Sequence, residues 1–165
     1  MNTRPLKQSL AAAVLTLPCL LASPSGFAAS APGSSADELL DSATIVLKQI
    51  DSGHYTAVWD SAAPFVKAKI PEGEFVTTTR QARGSLGAID HRGWGSVTRI
   101  QYANAAHIPD GLYANVDFST TLVSGRVVYE LLSFKLETDG RWHLTGYVPR
   151  QSQNLDSPGS SAAKQ

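Results

Sequence analysis

Near Asp90 the spacing of apolar residues changes from the three-and-four rhythm of helices to the alternation of strands, so the chain needs a helical layer and a sheet layer. Before that point Leu39, Ala43, Val46, Leu47 and Ile50 fall on one helical face. Ser35 followed by Glu38 reads as a capping box, and Gly53 suits a left-handed end cap, so the spacing predicts a helix from Ala36 to about Asp51. Tyr55, Val58, Trp59, Ala62 and Ala63 continue at helical spacing until Pro64, and Phe65 to Ile70 make a short turn. A third helix is expected from about Gly73 to Ser85, with Phe75, Thr79, Ala82 and Leu86 on one face.

After Asp90 the pattern is that of strands. Trp94 to Tyr102 is rich in β-branched and aromatic residues, and Ile108-Pro109-Asp110-Gly111 marks a turn. Leu112 to Leu122 alternates, with Leu112, Ala114, Val116, Phe118 and Leu122 on one face and Tyr113, Asn115, Asp117, Ser119 and Thr121 on the other. Ser124-Gly125 turns the chain into a strand from Val127 to Glu137, and Asp139-Gly140 turns it into a closing strand that ends near Arg150. Trp142 is expected to face the core, with His143 and Tyr147 outward and Gly146 marking a bulge or a close helix approach. The predicted fold class is α+β: about three N-terminal helices packed on one face of a curved four-stranded antiparallel meander, residues 36–150 forming one domain.

The first 28 residues read as a cleaved export signal. Arg4 and Lys7 are basic, Leu10 to Ala22 is a mostly apolar run, and small residues lead to cleavage after Ala28, with Ser30 as the alternative. That run covers about 20 Å as a helix, short of the roughly 30 Å hydrocarbon core, so no membrane span is expected once the signal is removed. Residues 29–35 are a short tether, and residues 151–165, polar and without periodicity, are a disordered tail. The expected location is periplasmic or secreted. The sole cysteine, Cys19, lies in the leader, so a cysteine nucleophile, cysteine-ligated zinc and disulfides are excluded from the exported chain. Of 14 Lys and Arg, 12 follow Ala28 against 14 acidic residues, with no basic stripe, which argues against nucleic acid as a partner.

The stretches IDSGHYTAVWDSAAP, ARGSLGAIDHR and VVYELLSFKLETDGRWHLTGYVPR together resemble the exported bacterial family named domain of unknown function 4019. The matching residues are Asp51, Gly53, Tyr55 and Trp59; Arg83, Leu86, Gly87 and Arg92; Glu130; and Gly140, Trp142, Gly146 and Tyr147. Ser85 departs from the pattern, where the family would carry Pro. The resemblance covers about Ala36 to Arg150, and helices on a curved sheet also look like a cystatin-like or nuclear-transport-factor-2-like cone. What it implies is fold and compartment, since the family has no established activity.

Glu130 is the most informative residue, because it shares the face of Val128, Leu132, Phe134 and Leu136. A carboxylate on a core face costs several kcal/mol unless it is paired or reaches solvent. Arg83 and Arg92 are the candidate partners, their forks suiting both oxygens. One reading is an ion pair that docks the third helix on the sheet. The other is a ligand pocket lined by Trp59, Phe118 and Trp142, with Glu130, Arg83 and Arg92 as its polar groups. Val127, Tyr129 and Leu131, on the opposite face, make an apolar patch that either the chain's own loops cover or a partner does, a homodimer included.

His54, His91, His107 and His143 show no metal-ligand spacing, so no metal and no cofactor are expected. No G-x-S-x-G and no phosphate-loop Lys occur. The leading expectation is a non-catalytic exported domain that binds a small ligand or an envelope protein. The alternatives are a small cone-fold enzyme using Asp90, His91 or Glu130 as acid or base, and a structural accessory subunit.

Overall fold

The computed structural model describes residues 35–153. The expected leader, most of the tether and the tail beyond Gln153 lie outside the described residues. Helix α1 spans Ala36–Asp51, and Ser35 caps it by accepting a hydrogen bond from the Asp37 amide at 3.1 Å. Asp37 and Glu38 in the first turn and Lys48 in the last complement the helix dipole. Gly53, at φ 72°, lets the chain leave the helix in the left-handed region that a side chain would strain.

Helix α2 (Tyr55–Asp60) is shorter than its apolar spacing predicts. Ala62 and Ala63 are buried not on a helix but against the edge of the sheet. Pro64 disfavours helical backbone at Ala63, which is extended. The freed backbone groups then pair with the last strand: the Ala63 amide donates to the Leu144 carbonyl at 2.8 Å, and the Leu144 amide to the Ser61 carbonyl at 3.1 Å. The expected turn after Pro64 is a helix, α3 (Pro64–Lys69), and α4 follows at Glu72–Gly84. The described helices therefore number four, two of them short.

Strands β1 (Ile89–Tyr102), β2 (Gly111–Leu122), β3 (Val127–Leu136) and β4 (Trp142–Arg150) form an antiparallel meander in sequence order. Strand β1 begins five residues earlier than its composition predicts, because Ile89 pairs with Leu122. One sheet face packs on α1: Leu39, Ala43, Val46, Leu47 and Ile50 meet Ala114, Val116, Phe118, Leu132, Phe134 and Leu144 in one core. The architecture is α+β, with an open sheet.

Three register irregularities decide which side chains share a face. Asp90 is an extra residue between Ile89 and His91, and Gly95 between Trp94 and Ser96. In β4 the pairing passes from Gly146 opposite Ser133 to Leu144 opposite Phe134, leaving Thr145 extra. Each bulge reverses the alternation beyond it.

Candidate functional site

Glu130 is fully enclosed, at 0% exposure, and four donors saturate its carboxylate. Arg92 Nε lies 2.6 Å from Oε1 and Arg92 Nη2 3.3 Å from Oε2. Thr120 Oγ1 donates to Oε1 and the Tyr147 hydroxyl to Oε2, each at 2.6 Å. Thus each of the other three strands sends one side chain to a carboxylate on β3, which is how a buried charge becomes tolerable.

The network extends to the helices. Arg92 also donates to both Asp51 oxygens, Nη1 at 2.5 Å and Nη2 at 3.0 Å. Arg83 Nε donates to Asp51 Oδ1 at 2.8 Å and Arg83 Nη1 to the Gly87 carbonyl at 2.9 Å. Of the two expected partners of Glu130, then, Arg92 holds it and Arg83 does not. Asp51 ends α1, where a negative charge opposes the dipole, and the two guanidiniums offset that cost. Two carboxylates against two guanidiniums leave the cluster neutral, and it ties the ends of α1 and α4 to the whole sheet.

Burial alone would raise the Asp51 pKa, but hydrogen bonds from Arg92 and then Arg83 hold it below the ordinary carboxylate value. Burial works against the charge on Arg92, yet Asp51 and Glu130 keep its pKa raised. Burial, followed by the charge of Glu130, pushes the Tyr147 phenol well above its ordinary value, so the hydroxyl remains a donor.

Tyr147 was expected to face outward and instead faces the core. The extra Thr145 reverses the alternation, so Trp142 and Leu144 point inward at one end of β4 and Tyr147, opposite Leu132, points inward at the other. His143 does turn away from the core, to Asp139 at 2.9 Å. Gly146 was the available signal for the bulge, and the polar Thr120 on the face of Phe118 was the signal for a further network member.

Of the aromatic residues expected around Glu130, Phe118 stands directly opposite it across the β2–β3 ladder, and Trp142 stands opposite Leu136 at the other end of β3. Trp59 packs on Phe75 at a centroid distance of 5.3 Å. Trp142 lines a cleft of about 240 Å³ between α1 and β4, its indole nitrogen buried without a hydrogen-bond partner. Phe118 lines another of about 330 Å³, beside Lys48, Asp90 and His91. Because Asp90 is a bulge residue, it and His91 come to one side of β1, His91 Nδ1 lying 2.9 Å from Asp90 Oδ2. Both side chains are largely exposed, at 62% and 67%. Among the described residues no group of three or more His, Cys, Asp or Glu could hold a metal ion.

The sheet face away from α1 carries the second charged feature, which the sequence reading missed. Arg150 reaches from β4 across β3 to β2, Nη2 donating to Asp117 Oδ1 at 2.6 Å, and Nη1 donates to the Gln153 carbonyl at 2.9 Å. Arg150 Nε is buried without a partner. Beside the pair is a polar groove of about 260 Å³ with Ser96, Thr98 and Gln153 in its wall. Next to it an aromatic groove of about 350 Å³ is walled by Phe65, Tyr102 and Tyr113. Asn115 and Leu131 line both, so the two form one trough. Tyr129 stands opposite Arg150 on β4, and Val127 is exposed farther along β3, pairing with Thr121.

Among the described residues no helix is long and apolar enough to cross a membrane. No curated protein and no solved structure matches the chain. Asp51, Arg83, Arg92, Glu130 and Tyr147, five of the residues on which the family resemblance rests, are the ones that meet in the buried network. Residues 42–147 match the model of the family described as protein of unknown function DUF4019, and to that family the chain belongs.

Proposed function

We propose that this protein is a non-catalytic, exported domain of the cell envelope that binds a small ligand on the outer face of its sheet. One observation carries the reading: the carboxylate on the core face is spent on structure, while the opposite face keeps an open trough. Glu130 has four donors and no exposure, so a substrate has no route to it. A general acid or base must come within hydrogen-bond reach of its proton. The trough has the usual make-up of a small-molecule site, mostly apolar walls with a few polar groups. Export is supported by the basic, then apolar, then small-residue order of the first 28 residues.

The enzyme reading keeps one observation in its favour, the Asp90–His91 contact beside a cleft. Against it, the pair stands in water, without the third group that orients a catalytic His or the dry pocket that strengthens its electrostatics. Native mass spectrometry of the protein from a periplasmic extract tests the proposal. The expected spectrum shows a small-molecule adduct on the monomer. A bare monomer, a homodimer without adduct, or a stoichiometric complex with another protein would overturn it, the last favouring an accessory subunit.

A further inference from the structure

The two ends of the trough differ in chemistry, and that difference specifies a ligand class. At one end Tyr113 makes edge contacts with Tyr102 at 5.2 Å and with Phe65 at 6.4 Å between centroids, a wall that suits a flat or chain-like apolar body. At the other end Arg150 Nε, buried and without an acceptor, remains a donor to satisfy. The charge beside it is already matched, because Asp117, with 8% of its side chain exposed, holds Arg150 Nη2 at 2.6 Å. An incoming carboxylate would meet Asp117; an uncharged oxygen would not. Along β2 the residues Tyr113 and Asp117 mark the two ends, about 13 Å apart at the rise of a strand.

We propose that the trough takes an elongated, uncharged amphiphile, its apolar body against Phe65, Tyr102 and Tyr113 and a carbonyl-type oxygen at Arg150. This rests on the reading of the outer face as the binding surface and names the chemistry of its ligand. Gln153 stands over the polar end, its amide nitrogen 3.3 Å from where a Cβ on Gly95 would sit. Its carbonyl occupies Arg150 Nη1, which leaves Nε as the donor for the oxygen of the head group.

The test uses two naphthalene probes of similar size, 6-propionyl-2-dimethylaminonaphthalene with a ketone head and 6-dimethylamino-2-naphthoic acid with a carboxylate head. Fluorescence titration of the full exported chain is expected to give a saturable blue shift with the ketone, and binding about tenfold weaker for the acid. Leu131→Arg, which puts a charge where the two grooves join, and Ile100→Glu, on the aromatic wall, should each weaken ketone binding about tenfold or more. Their denaturant midpoints, measured alongside, identify any variant that has merely unfolded, and the other variant then decides. Absence of a saturable shift, or equal affinity for the two heads, overturns the proposed chemistry. Ketone binding that survives both substitutions in folded protein places the probe elsewhere and overturns the trough as its site. A native adduct in the mass spectrum would still uphold the binding reading in either case, so the two can fail separately.

Discussion

The Tyr147 hydroxyl reaches Glu130 Oε2 at 2.6 Å because a bulge at Thr145 absorbs the extra residue of β4. Without that bulge Tyr147 would project from the outer face and Glu130 would lose one of its four donors. A local backbone irregularity therefore decides the solvation of the most deeply buried charge in the fold.

Removing that donor has a definite expected cost. Tyr147→Phe leaves one acceptor of an enclosed carboxylate short of a partner and should lower stability by about 1–2 kcal/mol. Glu130→Gln removes the charge opposite Arg92 and turns an amide donor toward existing donors, at a cost of about 3 kcal/mol or more. Urea denaturation reads both, and an unchanged midpoint for Glu130→Gln would exclude a structural role for the pair.

Deleting Thr145 should be tolerated. Leu144 and Tyr147 would then stand two residues apart, so strict alternation keeps both facing inward and the contact with Glu130 survives. A cooperative urea transition with a midpoint close to the parent's is expected; loss of that transition and of near-ultraviolet circular dichroism would contradict the assignment of Thr145 as the extra residue.

Asp51 should make the fold acid-sensitive. Its pKa is depressed in the folded state because the hydrogen bonds from Arg92 and Arg83 outweigh burial. A carboxyl shifted down contributes stability that is fully present above its unfolded pKa, about 3.9, and is lost as pH falls through the lower folded value. The stability gap between the parent and Asp51→Asn should therefore be full at neutral pH and shrink from about pH 4 downward. A gap constant to lower pH would show that the cost comes from geometry and not from charge.

His91→Ala should leave both stability and ligand binding unchanged. An exposed pair of this kind contributes about 0–1 kcal/mol. A pH-dependent turnover of any substrate that vanishes in this variant would revive the enzyme reading.

The fold was legible in the sequence wherever a periodic apolar pattern ran without interruption. Helix α1, the clean alternation of β2 and the hairpin turns all follow from side-chain spacing and turn chemistry acting over a few residues. Glu130 was equally legible, since a carboxylate among Val128, Leu132 and Phe134 demands partners. Arg92 as its holder, Arg83 turned instead to Asp51, and Tyr147 facing inward were not, because these depend on register and on three single-residue bulges.

The sequence by itself determined the α+β class, the order of the elements and the presence of a buried charge, since periodicity and desolvation cost act locally. Only the tertiary structure decided which residues satisfy that charge, and that Arg150 crosses two strands to Asp117 over an open trough. Hydrogen bonds between residues tens of positions apart require strand register and helix docking to be set first, and no spacing along the chain encodes them.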